Sequence, residues 1–245
     1  MGLEAIDFAH CRDNRSLPRC RRVSRSPTTL RHPVRVGHRL RCAIDGYGTG
    51  IVQLIGESYG QHTVQTAWGE FNIGLGEAFH GYHVNAELFY SWLFHRWAPA
   101  RERGHEVRDE ALYGVPPTRA YLDRLSSSVN PLLRLYLEGC LATVARFYEV
   151  LDCDAGSGFH ARDVFTGSVS IVSEALASTS LERGDIFYAH LIPIGQITLM
   201  EAISPCSFPP QSKSRLLQLR PQQRNHAQDS EGPELRRIYF SLSAL

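Results

Sequence analysis

Residues 147–205, FYEVLDCDAGSGFHARDVFTGSVSIVSEALASTSLERGDIFYAHLIPIGQITLMEAISP, bring apolar alternation, turn residues and short spacing together in one continuous run. Apolar and β-branched segments at 147–153, 159–165, 169–172, 186–194 and 197–203 are separated by Gly156, Gly158, Gly167, Gly184 and Gly195, the punctuation expected between strands. Five short strands are too narrow for a two-sheet sandwich with its own core. The meander is therefore expected to curl and close into a small antiparallel barrel of the OB or SH3 kind.

Immediately upstream, Asn130 and Pro131 mark a helix start, and Leu132, Leu133, Leu135, Tyr136, Leu141, Val144 and Ala145 supply its apolar stripe. This helix runs almost directly into Phe147, so helix and barrel are expected to pack as one unit. A shorter helix opens at Pro116, Pro117 and Thr118 and stops at the serines 126–128. Residues 79–97, FHGYHVNAELFYSWLFHRW, form the most aromatic stretch, and Leu88, Phe89, Trp92, Leu93 and Trp97 recur at helical intervals. A buried core helix explains these rings better than a base-stacking platform, which needs exposed strands. Gly46, Gly48 and Gly50 give GYGTG, but no strand precedes it and no GK[ST] follows. It reads as a turn leading into strands at 50–55 and 62–67. Beyond the barrel, Pro209 and Pro210 break the chain, 214–219 suits a short helix, 221–232 reads as a loop, and Leu235, Ile238, Tyr239 and Leu242 share one face of a final amphipathic segment.

The expected fold is α+β: a helical amino-terminal part packed on a five-stranded barrel, with a short helical tail. Four segments follow: an Arg-rich disordered arm over 1–41, a mainly helical region over 42–146, the barrel over 147–208 and the tail over 209–245. The arm carries ten arginines against Glu4, Asp7 and Asp13. Its functional reading is nonspecific nucleic-acid contact. However, Lys213 is the only lysine in the chain, so the arginine preference is global and the arm reads as a solvated tail or a segment outside the natural folded unit. A net charge of +1 gives the whole molecule no strong field for nucleic acid or acidic lipid. With no long apolar run, no signal-like amino terminus and six cysteines lacking CxxC or CxxH spacing, the chain reads as cytoplasmic, with no membrane partner and reduced thiols.

Few residues invite a chemical role. If the aromatic helix starts early, His80, His83 and Glu87 fall at i, i+3 and i+7 and share a face suited to a metal, with His95 or His105 approaching as a further ligand. Surface or capping histidines are the competing explanation, since Gly81 weakens a helix there. In the barrel, Asp163, Asp185 and the neighbouring Arg162 are candidate binding residues, with His160 and His190 as conceivable bases. Both aspartates adjoin turns, where such side chains commonly bond their own backbone. Cys140 and Cys153 read as buried thiols.

The stretch 118–210 resembles uncharacterised bacterial proteins of the SEC-C motif-containing, zinc chelation protein SecC-like type. The resemblance is carried by AYLDRLSSSVNPLLRLYLEGCLATVARFYEVLDCDAGSGFHARDVFTG at 120–167, by the SxxSxxLxRGDIxxAxLIPxG pattern ending at Gly195, and by TLMEAISPCSFPP at 198–210. PELRRIYFSL at 233–242 adds to it. It implies zinc only through a CxCxSGxxxxxCC cluster, which is absent from this sequence, so no cofactor is expected. The expected function is a non-enzymatic interaction module that recognises a protein or nucleic acid through the barrel; the alternative is a metal-dependent hydrolase or nuclease-associated enzyme using His80, His83 and Glu87.

Overall fold

The computed structural model describes residues 40–42, 44–72, 78–81, 83–125, 129–223 and 228–243. Residues 1–39, nearly all of the expected arm, lie outside the described residues. At its end, Leu40 is buried and Arg41 pairs with Glu174, a short contact that sets this point of the chain against the barrel.

The five strands form where alternation and glycine punctuation place them: β1 Arg146–Asp154, β2 Gly158–Asp163, β3 Val169–Val172, β4 Ile186–Ile194 and β5 Ile197–Ile203. They close in the order β1-β2-β3-β5-β4, a Greek-key path of the OB type. The expected meander is corrected at one seam, because β3 pairs not with β4 but in parallel with β5, at Val172 and Thr198. Residues 173–185 carry the chain across the barrel and include a 3-10 turn at Ala177–Thr179.

Tyr148, Val150, Phe159, Ala161, Val172, Leu181, Phe187, Ala189 and Leu191 fill the barrel interior. The opposite residues of β4, Ile186, Tyr188, His190, Ile192 and Ile194, face a helical layer and are also buried. Burial on both faces explains why β4 reads as a nearly continuous apolar run.

That layer comprises α1 Tyr47–Leu54, α2 Thr63–Phe71, α3 Ala86–His95, α4 Pro117–Arg124 and α5 Pro131–Ala142. Two strands expected at 50–55 and 62–67 are helical instead. Ile51, Leu54 and Ile55 recur at i, i+3 and i+4, as do Thr63, Ala67 and Phe71 at i, i+4 and i+8, so burying a helical face overrides the β propensity of these residues. Gly50 is thus a packing glycine: a Cβ there would meet the Tyr121 hydroxyl of α4 at 2.7 Å. The aromatic helix starts at Ala86, later than its sequence suggests, and packs Phe89 against Trp68 and Phe71.

The tail is helical, as α6 Ser212–Gln223 and α7 Gln228–Ser243, so much of the loop expected over 221–232 is helix. Leu235, Ile238, Tyr239 and Leu242 form the buried face of α7. Tyr239 stacks on Tyr188 of β4 at 4.9 Å and donates a 2.6 Å hydrogen bond to Asn85 at the head of α3. The tail thereby clasps barrel and helices together. Among the described residues, no helix is long and apolar enough to cross a membrane.

Candidate functional site

Along the seam between helices and barrel, an otherwise apolar interface contains a chain of buried polar groups. Its centre is Glu201, which β5 holds in a bulge. His190 pairs with Ala202 and Leu191 with Met200, so Glu201 has no partner in the register. The extra residue turns both Glu201 and Ala202 toward the helices, the re-aiming that bulges accomplish.

Three helices supply donors to this carboxylate. The Tyr47 hydroxyl of α1 donates at 2.5 Å to Oε1, the Tyr136 hydroxyl of α5 donates to Oε2, and Nε2 of His95 from α3 donates at 3.2 Å to Oε1. A fourth helix acts through His95, whose Nδ1 shares a 2.8 Å hydrogen bond with the Thr118 hydroxyl of α4. Burial alone pushes the Glu201 pKa up. The hydrogen bonds from His95, Tyr136 and Tyr47, with the electrostatic pull of His95, outweigh burial and hold it below the ordinary carboxylate value. Burial foremost, then the Glu201 charge, raises the Tyr47 and Tyr136 phenols well above their usual value, so both remain neutral donors. Cys140 of α5 is wholly buried in the same cluster, and burial followed by Glu201 keeps it a thiol. The ligand atoms of His95, Cys140 and Glu201 all lie within 4.8 Å of one another.

His190 continues the chain, its ring 5.8 Å from that of His95. The hydroxyl of Thr143 donates to the Gly139 carbonyl at 2.8 Å and so has only lone pairs left for His190 Nε2 at 2.9 Å. His190 is therefore protonated on Nε2, and its bare Nδ1 accepts from Ser91 at 2.8 Å. Burial, reinforced by His95, lowers the His190 pKa to about 3. The pair has the outline of a serine nucleophile and its base. A base that weak takes a hydroxyl proton poorly, because efficient general bases are poised near neutral pH.

Ser91 and His190 border a cavity of about 120 Å³ lined also by Phe71, Trp92, Arg96 and Arg236. Arg236, on α7, is 7% exposed. Its guanidinium lies 4.3 Å above the Trp92 ring and donates one long hydrogen bond, 3.4 Å, to the Glu70 carbonyl. Its Nε has no partner among the described residues. Burial lowers its pKa to about 10, which leaves it cationic at neutral pH.

The residues singled out in the sequence are placed elsewhere. His80 and His83 precede α3, so the i, i+3, i+7 helical spacing proposed for His80, His83 and Glu87 does not exist. The two histidine rings lie 5.7 Å apart, His83 Nδ1 accepts from the Asn85 amide, and the three residues form no converging ligand group among the described residues. Asp163 accepts from the amides of Phe165 and Thr166, and Asp185 accepts from the amide of Glu182, both as turn-forming side chains. Arg162 is paired with Glu149 across β1 and β2. His105, suggested as an added ligand, bonds Glu70 at 2.7 Å instead. His95 and Cys140 do meet, around a glutamate that sequence reasoning passed over. The available signal was Glu201 itself, a carboxylate inside the apolar strand ITLMEAI that has to find donors once buried.

No family model, curated protein or solved structure matches the chain.

Proposed function

We propose that the chain is a non-enzymatic binding module whose ligand is a small anion with a ring-sized apolar body, held in the cavity between α3, α7 and β4. The observation that carries this reading is Arg236. Its guanidinium makes one long bond and a ring contact, and a buried Nε with no partner among the described residues is costly unless an anion completes it. Trp92 and Phe71 flank the charge and supply the apolar wall beside it. The cavity, about 120 Å³, approaches the roughly 150 Å³ that admits a benzene ring, and because it is open on one side the anionic group need not be enclosed with the ring.

The barrel surface favours a nucleic-acid partner less. Strands β1 to β3 carry Phe147, Tyr148 and Phe159 buried, leave His160 alone of their rings partly exposed, and have Arg162 occupied by Glu149. Single-strand binding needs exposed stacking rings beside free positive charge.

The test is calorimetric titration of the full chain with benzoate, phenyl phosphate and neutral benzyl alcohol. The anions are expected to bind at least about tenfold tighter than the alcohol, and Arg236→Met to abolish that preference. Equal affinity for anion and alcohol, or no binding of any of the three, would overturn the reading.

A further inference from the structure

We infer that His95, Cys140 and Glu201 form a second site, for a single soft-to-borderline divalent cation such as zinc, at the junction of α3, α5 and the β5 bulge. Imidazole, thiolate and carboxylate together are a zinc donor set, and three protein ligands leave a fourth position for water or another small ligand. Among the described residues no fourth His, Cys, Asp or Glu converges on the site.

The geometry fits without rebuilding. His95 Nε2 and Glu201 Oε1 are 3.2 Å apart, and two donors at that separation, each about 2.05 Å from an ion, subtend about 103°, near the tetrahedral value. A sulfur at about 2.3 Å from the same ion would sit about 3.6 Å from each of them. Since Cys140 Sγ already lies within 4.8 Å of both, it closes by little more than about 1 Å, a side-chain adjustment.

The surroundings are those of a metal centre whose outer contacts are in place. Metal-bound imidazoles commonly donate their other nitrogen to a fixed acceptor, and bound carboxylates are themselves hydrogen-bonded. Thr118 Oγ1 can accept from Nδ1–H as readily as it donates to Nδ1, so a change of tautomer frees Nε2 for the ion without moving the ring. Tyr136 already fixes Oε2, and Tyr47 holds Oε1. Binding is balanced by release of the Cys140 thiol proton and the His95 Nε2 proton's transfer to Nδ1, with net loss of one proton to solvent. A divalent ion also supplies the positive charge that a buried carboxylate and thiolate together require.

The experiment uses the full chain stripped with chelator, loaded with Zn²⁺ or Co²⁺, desalted and assayed for metal. About one equivalent is expected to remain in the wild type and in the His80→Ala/His83→Ala control, and to fall at least about tenfold in Cys140→Ser and His95→Gln. The Co²⁺ form discriminates without any variant: a thiolate-to-cobalt charge-transfer band with tetrahedral visible transitions supports the site, whereas an oxygen-only octahedral spectrum overturns it. Retention of less than about a tenth of an equivalent, or full retention in Cys140→Ser, also overturns it. Cys42 and Cys206 are exposed, so Cys42→Ser/Cys206→Ser is included, and loss of the metal in that variant alone would overturn the site by assigning the ion to the surface.

Discussion

Glu201→Ala is expected to destabilise the chelator-treated protein by about 3–5 kcal/mol. The magnitude follows from what the carboxylate satisfies. Removing it strands the Tyr47 and Tyr136 hydroxyls and the His95 Nε2–H at the helix–barrel seam. Each orphaned donor costs about 1–3 kcal/mol, and loss of one member of a buried charged network typically costs about 3–5 kcal/mol in all. With a urea m-value of about 3 kcal/mol/M, the midpoint should fall by about 1–1.7 M. Glu201→Gln keeps the shape and one acceptor oxygen and should lose only about 1–2 kcal/mol. A double-mutant cycle with Tyr136→Phe should return a coupling of about 1–3 kcal/mol, because the alanine variant strands fewer donors once that hydroxyl is gone. The pH dependence adds a check of sign. The folded pKa of Glu201 lies below its unfolded value, so its stabilisation is complete above about pH 4.3 and is lost as pH falls through the folded value. An alanine variant within about 1 kcal/mol of wild type would refute the closed network, since it would mean that water already serves these donors.

Three further outcomes follow from the same seam and barrel. His190 has a folded pKa of about 3 against about 6.5 unfolded, so unfolding takes up a proton in between; stability should drop by about 2 kcal/mol from pH 7 to pH 5, and His190→Gln should flatten that slope in urea titrations. Arg236→Met should leave stability unchanged or raise it by about 1–2 kcal/mol while removing anion binding, because an unpaired buried charge is exchanged for an apolar chain of similar length; a loss above about 3 kcal/mol would mark the guanidinium as structural. Gly158→Ala should cost about 3 kcal/mol or more in thermal or urea unfolding, since its Cβ would stand 2.2 Å from the Val172 carbonyl oxygen of the neighbouring strand, and a neutral result would contradict the tight β2–β3 approach.

The strands were legible because alternation and glycine are local signals, and each of the five runs falls within two residues of its observed span. The parallel β3–β5 pair was not, because pairing partners are set by closure of the whole barrel and leave no mark on either strand. Ile51, Val52, Thr63 and Val64 suggested strands through propensity, yet their neighbours' i, i+3, i+4 spacing was the signal that packing obeyed. The site was less legible still. His95 and Cys140 could be named singly, but they are 45 positions apart and meet because α3 and α5 both pack on β4. Glu201 turns toward them through a bulge that the even spacing of ITLMEAI does not reveal.

The two buried charges of the seam differ in a way that separates fold from function. Glu201 receives three hydrogen bonds from its own chain, so its half of the seam is complete as a lock joining helices to β5, and a cation there would substitute for contacts already made. Arg236 receives no such closure. Its Nε has no partner among the described residues, its guanidinium rests on an aromatic face, and in the lining beside it Ser91 and His190 are bonded to each other and His190 to Thr143. In the metal-free protein a lock exchanged for well-packed apolar residues changes stability alone, whereas a receptor exchanged in the same way loses its ligand. The combination of Glu201→Gln and Arg236→Met therefore separates the roles: the first should lower the unfolding midpoint and leave anion affinity within about threefold, and the second should remove anion affinity without lowering the midpoint.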